Sequence, residues 1–178
     1  MFTFVSGNVG LDLVGTVQHR RTDRTDLLRD PSDLAAWFVA ASILDAPPAV
    51  TPADLRAATA LREAIHRLST AAGDLGAGAA DDLETLNRHA ASPQTRIHLG
   101  TAGTLIRTGD ASAALATVAR AAAELLGGPD RRRIKECGGG ECTRLFIDTS
   151  RGLSRRWCDM LECGNRAKAA GFRARHRH

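Results

Sequence analysis

Cys137 and Cys142 are separated by four residues, Cys158 and Cys163 by another four, and 15 residues lie between the pairs, so the frame is Cys-x4-Cys-x15-Cys-x4-Cys. Two short cysteine pairs joined by a spacer of about 15–20 residues are the layout of a four-cysteine zinc site. Each pair grips one side of a tetrahedron, and the spacer brings the pairs together. A four-residue gap is at the wide end of the usual range. Gly138-Gly139-Gly140 in the first gap predicts a turn around the metal that uses backbone angles open to glycine. Four thiolates close the coordination shell and leave no position for a catalytic water, so the expectation is one structural Zn²⁺. Two disulfides, four free thiols or an iron–sulfur cluster are the competing readings. A thiol redox sensor built on the same residues predicts zinc release under mild oxidant.

The basic charge around this frame exceeds what the metal site needs. Residues 131–178 hold 13 Lys/Arg against 5 Asp/Glu, a net of +8, whereas residues 1–130 hold 11 against 15, a net of −4. Zinc with four thiolates carries −2, which moves the basic segment only from +8 to +6. Arg155, Arg156, Arg166, Lys168, Arg173 and Arg175 are therefore the candidate nucleic-acid contacts, since phosphate neutralisation supplies most non-specific affinity and Arg also reads guanine edges. One of Arg155 and Arg166 is expected to serve the fold. On a helix starting near Cys163, Arg166, Arg173 and Arg177 share one flank and Lys168 and Arg175 the other, with Met160, Cys163, Ala167, Ala170 and Ala174 between as the seat. Trp157 reads as core beside a ligand, Asn165 as the helix cap, and Gly164 as room for backbone amides near the Cys163 sulfur. The terminal His176 and His178 read as a solvated tail.

No phosphate-cradling glycine loop, His-Glu-x-x-His or nucleophile elbow is present, and the chain is expected not to be an enzyme. The N-terminus lacks the basic stretch of a signal peptide, and the run Leu34–Leu44 is too short to span a bilayer. The expectation is a cytoplasmic protein with no membrane partner.

The elements that must position these residues are mostly helical. Leu11–Gln18 fits a strand or a short helix equally. Asp30-Pro31-Ser32-Asp33 starts a helix expected to reach Leu44, with Leu34, Phe38 and Ala41 on one face. Thr51-Pro52-Ala53-Asp54 starts a second, with Leu55, Ala58, Leu61, Ile65 and Leu68 as its buried stripe. Gly73–Gly78 reads as a loop, Asp81–Ala90 as a third helix, Thr95–Leu99 and Gly103–Thr108 as a hairpin, and Asp110 as the cap of a helix over Ala111–Leu126. Gly127-Gly128-Pro129-Asp130 reads as a linker, which divides the chain at 1–128 and 131–178. In the cysteine spacer, Leu145-Phe146-Ile147 and Arg155-Arg156-Trp157 are expected to pair across a turn at Asp148–Gly152. The fold class is mainly α with short β elements (α+β): a helical N-terminal domain and a small treble-clef-like zinc module with four cysteine ligands.

Cys137 and Cys142, Leu145-Phe146-Ile147-Asp148-Thr149-Ser150-Arg151, Arg155-Arg156-Trp157-Cys158-Asp159-Met160, and Cys163-Gly164-Asn165-Arg166-Ala167-Lys168 together closely resemble the CGNR zinc finger family, over roughly residues 131–175. Gly10-Leu11-Asp12-Leu13-Val14, Leu34-Ala35-Ala36-Trp37 and Leu61-Arg62-Glu63-Ala64 are similar to the ABATE-type domain that precedes this finger in that family. Where that family has Asn-Thr after the first apolar run, Gly15-Thr16 stands here. The resemblance implies a DNA-binding transcription regulator of stress response, with an N-terminal domain that senses a small molecule or mediates assembly. From interface size, one finger per chain implies a homodimer. The alternative is a zinc module that binds protein or RNA as an adaptor, without direct DNA contact.

Overall fold

The computed structural model describes residues 1–71 and 79–175, with the backbone alone for Ala174 and Arg175. The expected loop at Gly73–Gly78 and the residues His176, Arg177 and His178 lie outside the described residues. The ambiguous first apolar run is a helix and then a strand: α1 spans Val9–Val14, and β1 (Val17–Gln18) pairs antiparallel with β2 (Thr25–Asp26). Asn8 starts α1 by accepting from Gly10 N–H at 2.8 Å, and its amide donates to the Ala121 carbonyl at 2.9 Å. Gly10 is needed here, because a Cβ at this position would lie 2.7 Å from the Ala122 Cβ.

Helix α2 (Pro31–Ala40) starts at a capping box of Asp30 and Asp33. It stops short of the expected Leu44. Ser42 takes a left-handed φ of 55°, and Ile43 turns back to donate to the Phe38 carbonyl at 3.0 Å. Ile43 and Leu44 are thus buried by the turn, not by a helical face. Helix α3 (Pro52–Thr70) has the equivalent box in Thr51 and Asp54 and buries Ala58, Leu61, Ala64, Ile65 and Leu68. Leu55, expected in that stripe, is half-buried, and Arg62 is buried in its company.

Helix α4 (Ala80–Ala90) is followed by the hairpin β3 (Arg96–Leu99) and β4 (Leu105–Thr108). Helix α5 (Ala111–Gly127), capped by Asp110, is central and packs against α1, α3 and α4. Its alanines at 114, 119 and 122 are buried, and small side chains allow that many neighbours to approach closely. The Gly127–Asp130 segment is the end of α5 and the start of a 3-10 turn, Pro129–Arg133.

Strand β5 (Ile134–Glu136) follows at once and pairs antiparallel with β6 (Leu145–Ile147). This replaces the pairing expected within the cysteine spacer: Leu145–Ile147 pairs back to residues before the first cysteine, and Arg155–Trp157 is not a strand. The physical reason lies in β6 itself. Adjacent residues of a strand point to opposite faces. Leu145 and Ile147 join the core of the helical body, while Phe146 joins the four cysteines. No helix among the described residues is long and apolar enough to cross a membrane.

Candidate metal centre

The turn between β5 and β6 supplies Cys137 and Cys142, and a π-helical turn, Met160–Gly164, supplies Cys163, with Cys158 just before it. Knuckle, strand and ligands at a helix start make the treble-clef-like arrangement. Cys137, Cys158 and Cys163 are buried and Cys142 is half-buried. The sulfurs all lie within 4.8 Å of one another. Cys142 to Cys158 is 3.8 Å and Cys158 to Cys163 is 3.7 Å. A tetrahedron with Zn–S arms of about 2.3 Å has edges of about 3.8 Å, whereas a disulfide needs about 2.05 Å. The set fits one structural Zn²⁺ held by Cys137, Cys142, Cys158 and Cys163.

The thiols also show why a cation belongs here. The hydrogen bond from Cys158, more than any other contact, pulls the Cys142 thiol down to about 5. Burial and the neighbouring Cys142 charge push Cys163 up to about 12, and Cys158 is pushed up as it donates to Cys142. Four like charges do not share so small a volume without a metal between them.

A surrounding layer fixes the ligands. Cys158 N–H donates to the Cys137 sulfur at 3.3 Å, Cys137 N–H to the Arg144 carbonyl at 2.9 Å, and Gly138 N–H to the Arg156 carbonyl at 2.8 Å. None of Gly138, Gly139 and Gly140 has a positive φ, so the expected demand for glycine-only angles is absent. Crowding accounts for Gly138 instead, since a Cβ there would lie 3.1 Å from the Arg156 carbonyl oxygen and 3.3 Å from the Trp157 ring. Gly164 likewise makes room for the Met160 sulfur, 2.9 Å from a Cβ built there, and not for amides near Cys163.

The basic residues divide. Arg155 turns inward. Its guanidinium donates to the carbonyls of Trp157 at 2.9 Å, Val5 at 3.3 Å, Ile147 at 3.4 Å and Cys158, and lies 4.5 Å above the centre of the Phe146 ring. That geometry corrects its expected place among outward contacts. Arg156 is exposed, its guanidinium 5.3 Å from the half-buried Trp157 ring. Helix α6 (Asn165–Arg175) carries Arg166, Lys168 and Arg173, all exposed, and the backbone of Arg175. It packs chiefly on the Met160–Gly164 turn. Of its expected seat, Ala167 is half-buried but Ala170 is exposed. Asn165 is not the cap: it lies inside the helical segment and donates to the Leu161 carbonyl at 3.1 Å, and Asp159 starts the turn by accepting from Leu161 N–H at 3.0 Å. A groove of about 370 Å³ between the glycine knuckle and α6 exposes Cys142, Trp157, Arg166 and Ala170.

Several supporting residues had no sequence signal beyond a turn or a helix position. Asp148 is fully buried and accepts from Lys135 at 2.6 Å, Ser150 N–H at 2.9 Å, Ser150 Oγ at 2.6 Å and Arg155 N–H at 3.0 Å. Burial acts to raise its carboxyl, but the Lys135 and Ser150 bonds win and hold it well below the usual range. Arg62 on α3, 1% exposed, clamps Asp26 through two bonds of 2.8 and 2.6 Å and donates to Thr16 Oγ1. Thr16 therefore keeps a buried structural partner beside Gly15, which has the right-handed φ of −66° at the end of α1. The loop between β1 and β2 grips the knuckle: Arg20 N–H donates to Thr143 Oγ1, and Arg21 pairs with Glu136.

Two family models match the chain. One is ABATE, described as a "putative stress-induced transcription regulator", over residues 7–129. The other is the CGNR zinc finger, over residues 133–176. Comparison with curated proteins found no match.

Proposed function

Because the chain belongs to the ABATE family and carries a CGNR zinc finger, we propose that it is a cytoplasmic stress-response regulator of transcription that binds DNA through helix α6. One observation carries this reading: α6 is a basic helix whose Arg166, Lys168 and Arg173 are exposed, and it starts at the turn that carries Cys163. Arg166 and Arg173 on one flank and Lys168 on the other give phosphate contacts on either side of a groove-sized helix, and Arg156 and Arg175 are the remaining cations assigned to the contact. Arg155 instead holds the segment before Cys158 against Val5 and Ile147. The protein acts by binding and carries out no catalytic step. The N-terminal domain serves sensing of a small molecule or assembly, and two copies supply the contact area that one finger lacks.

The test is a titration of zinc-loaded protein against random duplex DNA at about 50 and 200 mM salt. Wild type should bind and weaken steeply as salt rises. Arg166→Ala with Arg173→Ala should keep zinc and lower the slope of log affinity against log salt by about 1.8, at about 0.9 per lost phosphate contact. Absence of binding at low salt would sink the proposal. The adaptor reading, protein or RNA, has its own support in Met160, Leu161 and Phe172, which are 50%, 81% and 57% exposed around the same helix. An apolar interface there would be insensitive to salt.

A further inference from the structure

The β3–β4 hairpin stands away from the core with its apolar side chains uncovered. Ile97 and Leu99 are 66% and 68% exposed, and Leu105 and Ile106 are 43% and 41% exposed. The register pairs Ile97 with Arg107, His98 with Ile106 and Leu99 with Leu105. Directly paired residues share a face, so Ile97, Leu99 and Leu105 lie together on one side.

The two edges of this sheet are not equivalent. In an antiparallel pair, hydrogen-bonded and non-hydrogen-bonded residue pairs alternate. Gly100 N–H bonds the Thr104 carbonyl at 2.8 Å, so His98 and Ile106 form the next bonded pair, and Ile97, Leu99, Leu105 and Arg107 direct their amides outward. On the β4 edge, Arg107 is answered by the body: its N–H donates to the Asp45 carboxylate at 2.7 Å, and its carbonyl accepts from Asp45 N–H at 3.2 Å. On the β3 edge, the amides of Ile97 and Leu99 face solvent among the described residues.

We propose that β3 is a self-pairing edge, and that its partner is β3 of a second copy of this chain, antiparallel about a two-fold axis at His98. The strand is self-complementary in both respects that matter. With His98 opposite its own mate, Ile97 of each copy faces Leu99 of the other, and those are the two residues whose amides point outward. Four inter-chain hydrogen bonds form, and the apolar faces become one surface across a four-stranded sheet. Charge agrees as well, because Arg96 falls opposite Gly100 of the other copy and not opposite a like charge. A standard interface uses about 20–30 residues a side, and this hairpin offers far fewer, so the dimer is a transient one that forms as concentration rises. The proposal is independent of what α6 binds.

Sedimentation velocity on the zinc-loaded full-length protein, without nucleic acid, over about 5–500 μM, spans the range expected of a small interface. Wild type should move from monomer to dimer across it. Ile97→Lys with Leu99→Lys, at exposed positions that leave the fold intact, should raise the dissociation constant at least tenfold, while Leu161→Lys on the finger should not change it. His98→Cys should give an inter-chain disulfide on mild oxidation, because residues directly opposite in a non-hydrogen-bonded pair bring their Cβ atoms close. A wild type that stays monomeric throughout, or a dimer indifferent to the double lysine variant, would overturn the proposal. A dimer sensitive to that variant but without the His98→Cys cross-link would refute the two-fold register.

Discussion

Arg155→Lys separates a supporting arginine from a DNA-contacting one, because it keeps the charge and removes the fork. Arg155 makes four bonds to backbone carbonyls on three segments: Val5 at the N-terminus, Ile147 on β6, and Trp157 and Cys158 before the second ligand pair closes. A lysine ammonium is a point donor on a flexible stem and replaces about one of these bonds. Three lost bonds at about 1 kcal/mol each and a weaker contact with the Phe146 face, about 0.5–1 kcal/mol, total roughly 3–4 kcal/mol. For a protein of this size that corresponds to a fall of roughly 6–16 °C in Tm. The assay is a thermal melt of zinc-loaded wild type and variant, with zinc content measured on each and DNA titrated at two salts. The expected result is a large loss of Tm, zinc retained at room temperature, and an unchanged salt slope of DNA binding. An unchanged Tm with weakened DNA binding would refute the inward assignment of Arg155 and return it to the contact surface.

Chelation should reach further than the zinc module. Leu145 and Ile147 belong to the core of the helical body, and losing their burial costs about 1.5–3 kcal/mol each, so stripping zinc should lower the Tm of the remaining helices while leaving them folded at room temperature. Circular dichroism during EDTA titration checks this; a body whose melt ignores chelation would contradict the shared core. Zinc affinity should rise with pH. Cys158 and Cys163 have thiols raised above their ordinary value, so they are protonated at neutral pH in the metal-free site and at least two protons must leave on loading. Competition against a chromophoric chelator between about pH 6 and 8 should show log affinity climbing by about 2 per pH unit or more, with zinc lost as pH falls. A slope below about 1 would mean that the thiols are already ionised without metal.

The features legible in the sequence are those written in local spacing. The cysteine frame, the two capping boxes at Asp30 and Thr51, and the Asp110 cap each depend on residues a few positions apart, and each forms as expected. What is hidden depends on partners far along the chain. Leu145-Phe146-Ile147 announces a strand, but nothing local says that it pairs with Ile134–Glu136 and not with Arg155–Trp157. That choice is made by the helical body, which takes up Leu145 and Ile147. Arg155 and Arg166 are equally plausible surface cations in the sequence, and only the carbonyls gathered from Val5, Ile147, Trp157 and Cys158 distinguish them. Asp148 reads as a turn residue, and its second role as an acceptor for Lys135 needs β5 and β6 side by side. The glycine run answers a different demand from the expected one, since a clash with a carbonyl and a ring, and not a left-handed angle, limits Gly138.

A small zinc module has little apolar surface of its own, and this one divides strand β6 between two cores. Phe146 packs with the cysteines, and its neighbours on either side pack with the body. The N-terminal segment runs along the same seam: the Ser6 carbonyl accepts from Ile147 N–H at 2.9 Å, the Thr3 hydroxyl from Arg144 at 3.0 Å, and Val5 packs by the metal cluster. The β5–β6 half of the module is therefore held from two sides, by the zinc and by the body. Helix α6 is held chiefly from one side, through the Met160–Gly164 turn that carries Cys163. The metal thus contributes differently to the two halves. For the strands it adds to a core shared with the body, whereas for α6 it fixes the turn from which the helix starts. Arg144, which reaches Thr3 on one side, also pairs with Glu162 on the Met160–Gly164 turn at 3.3 Å, so any ligand or partner that shifts this seam acts on the turn that starts α6 as well as on the strands.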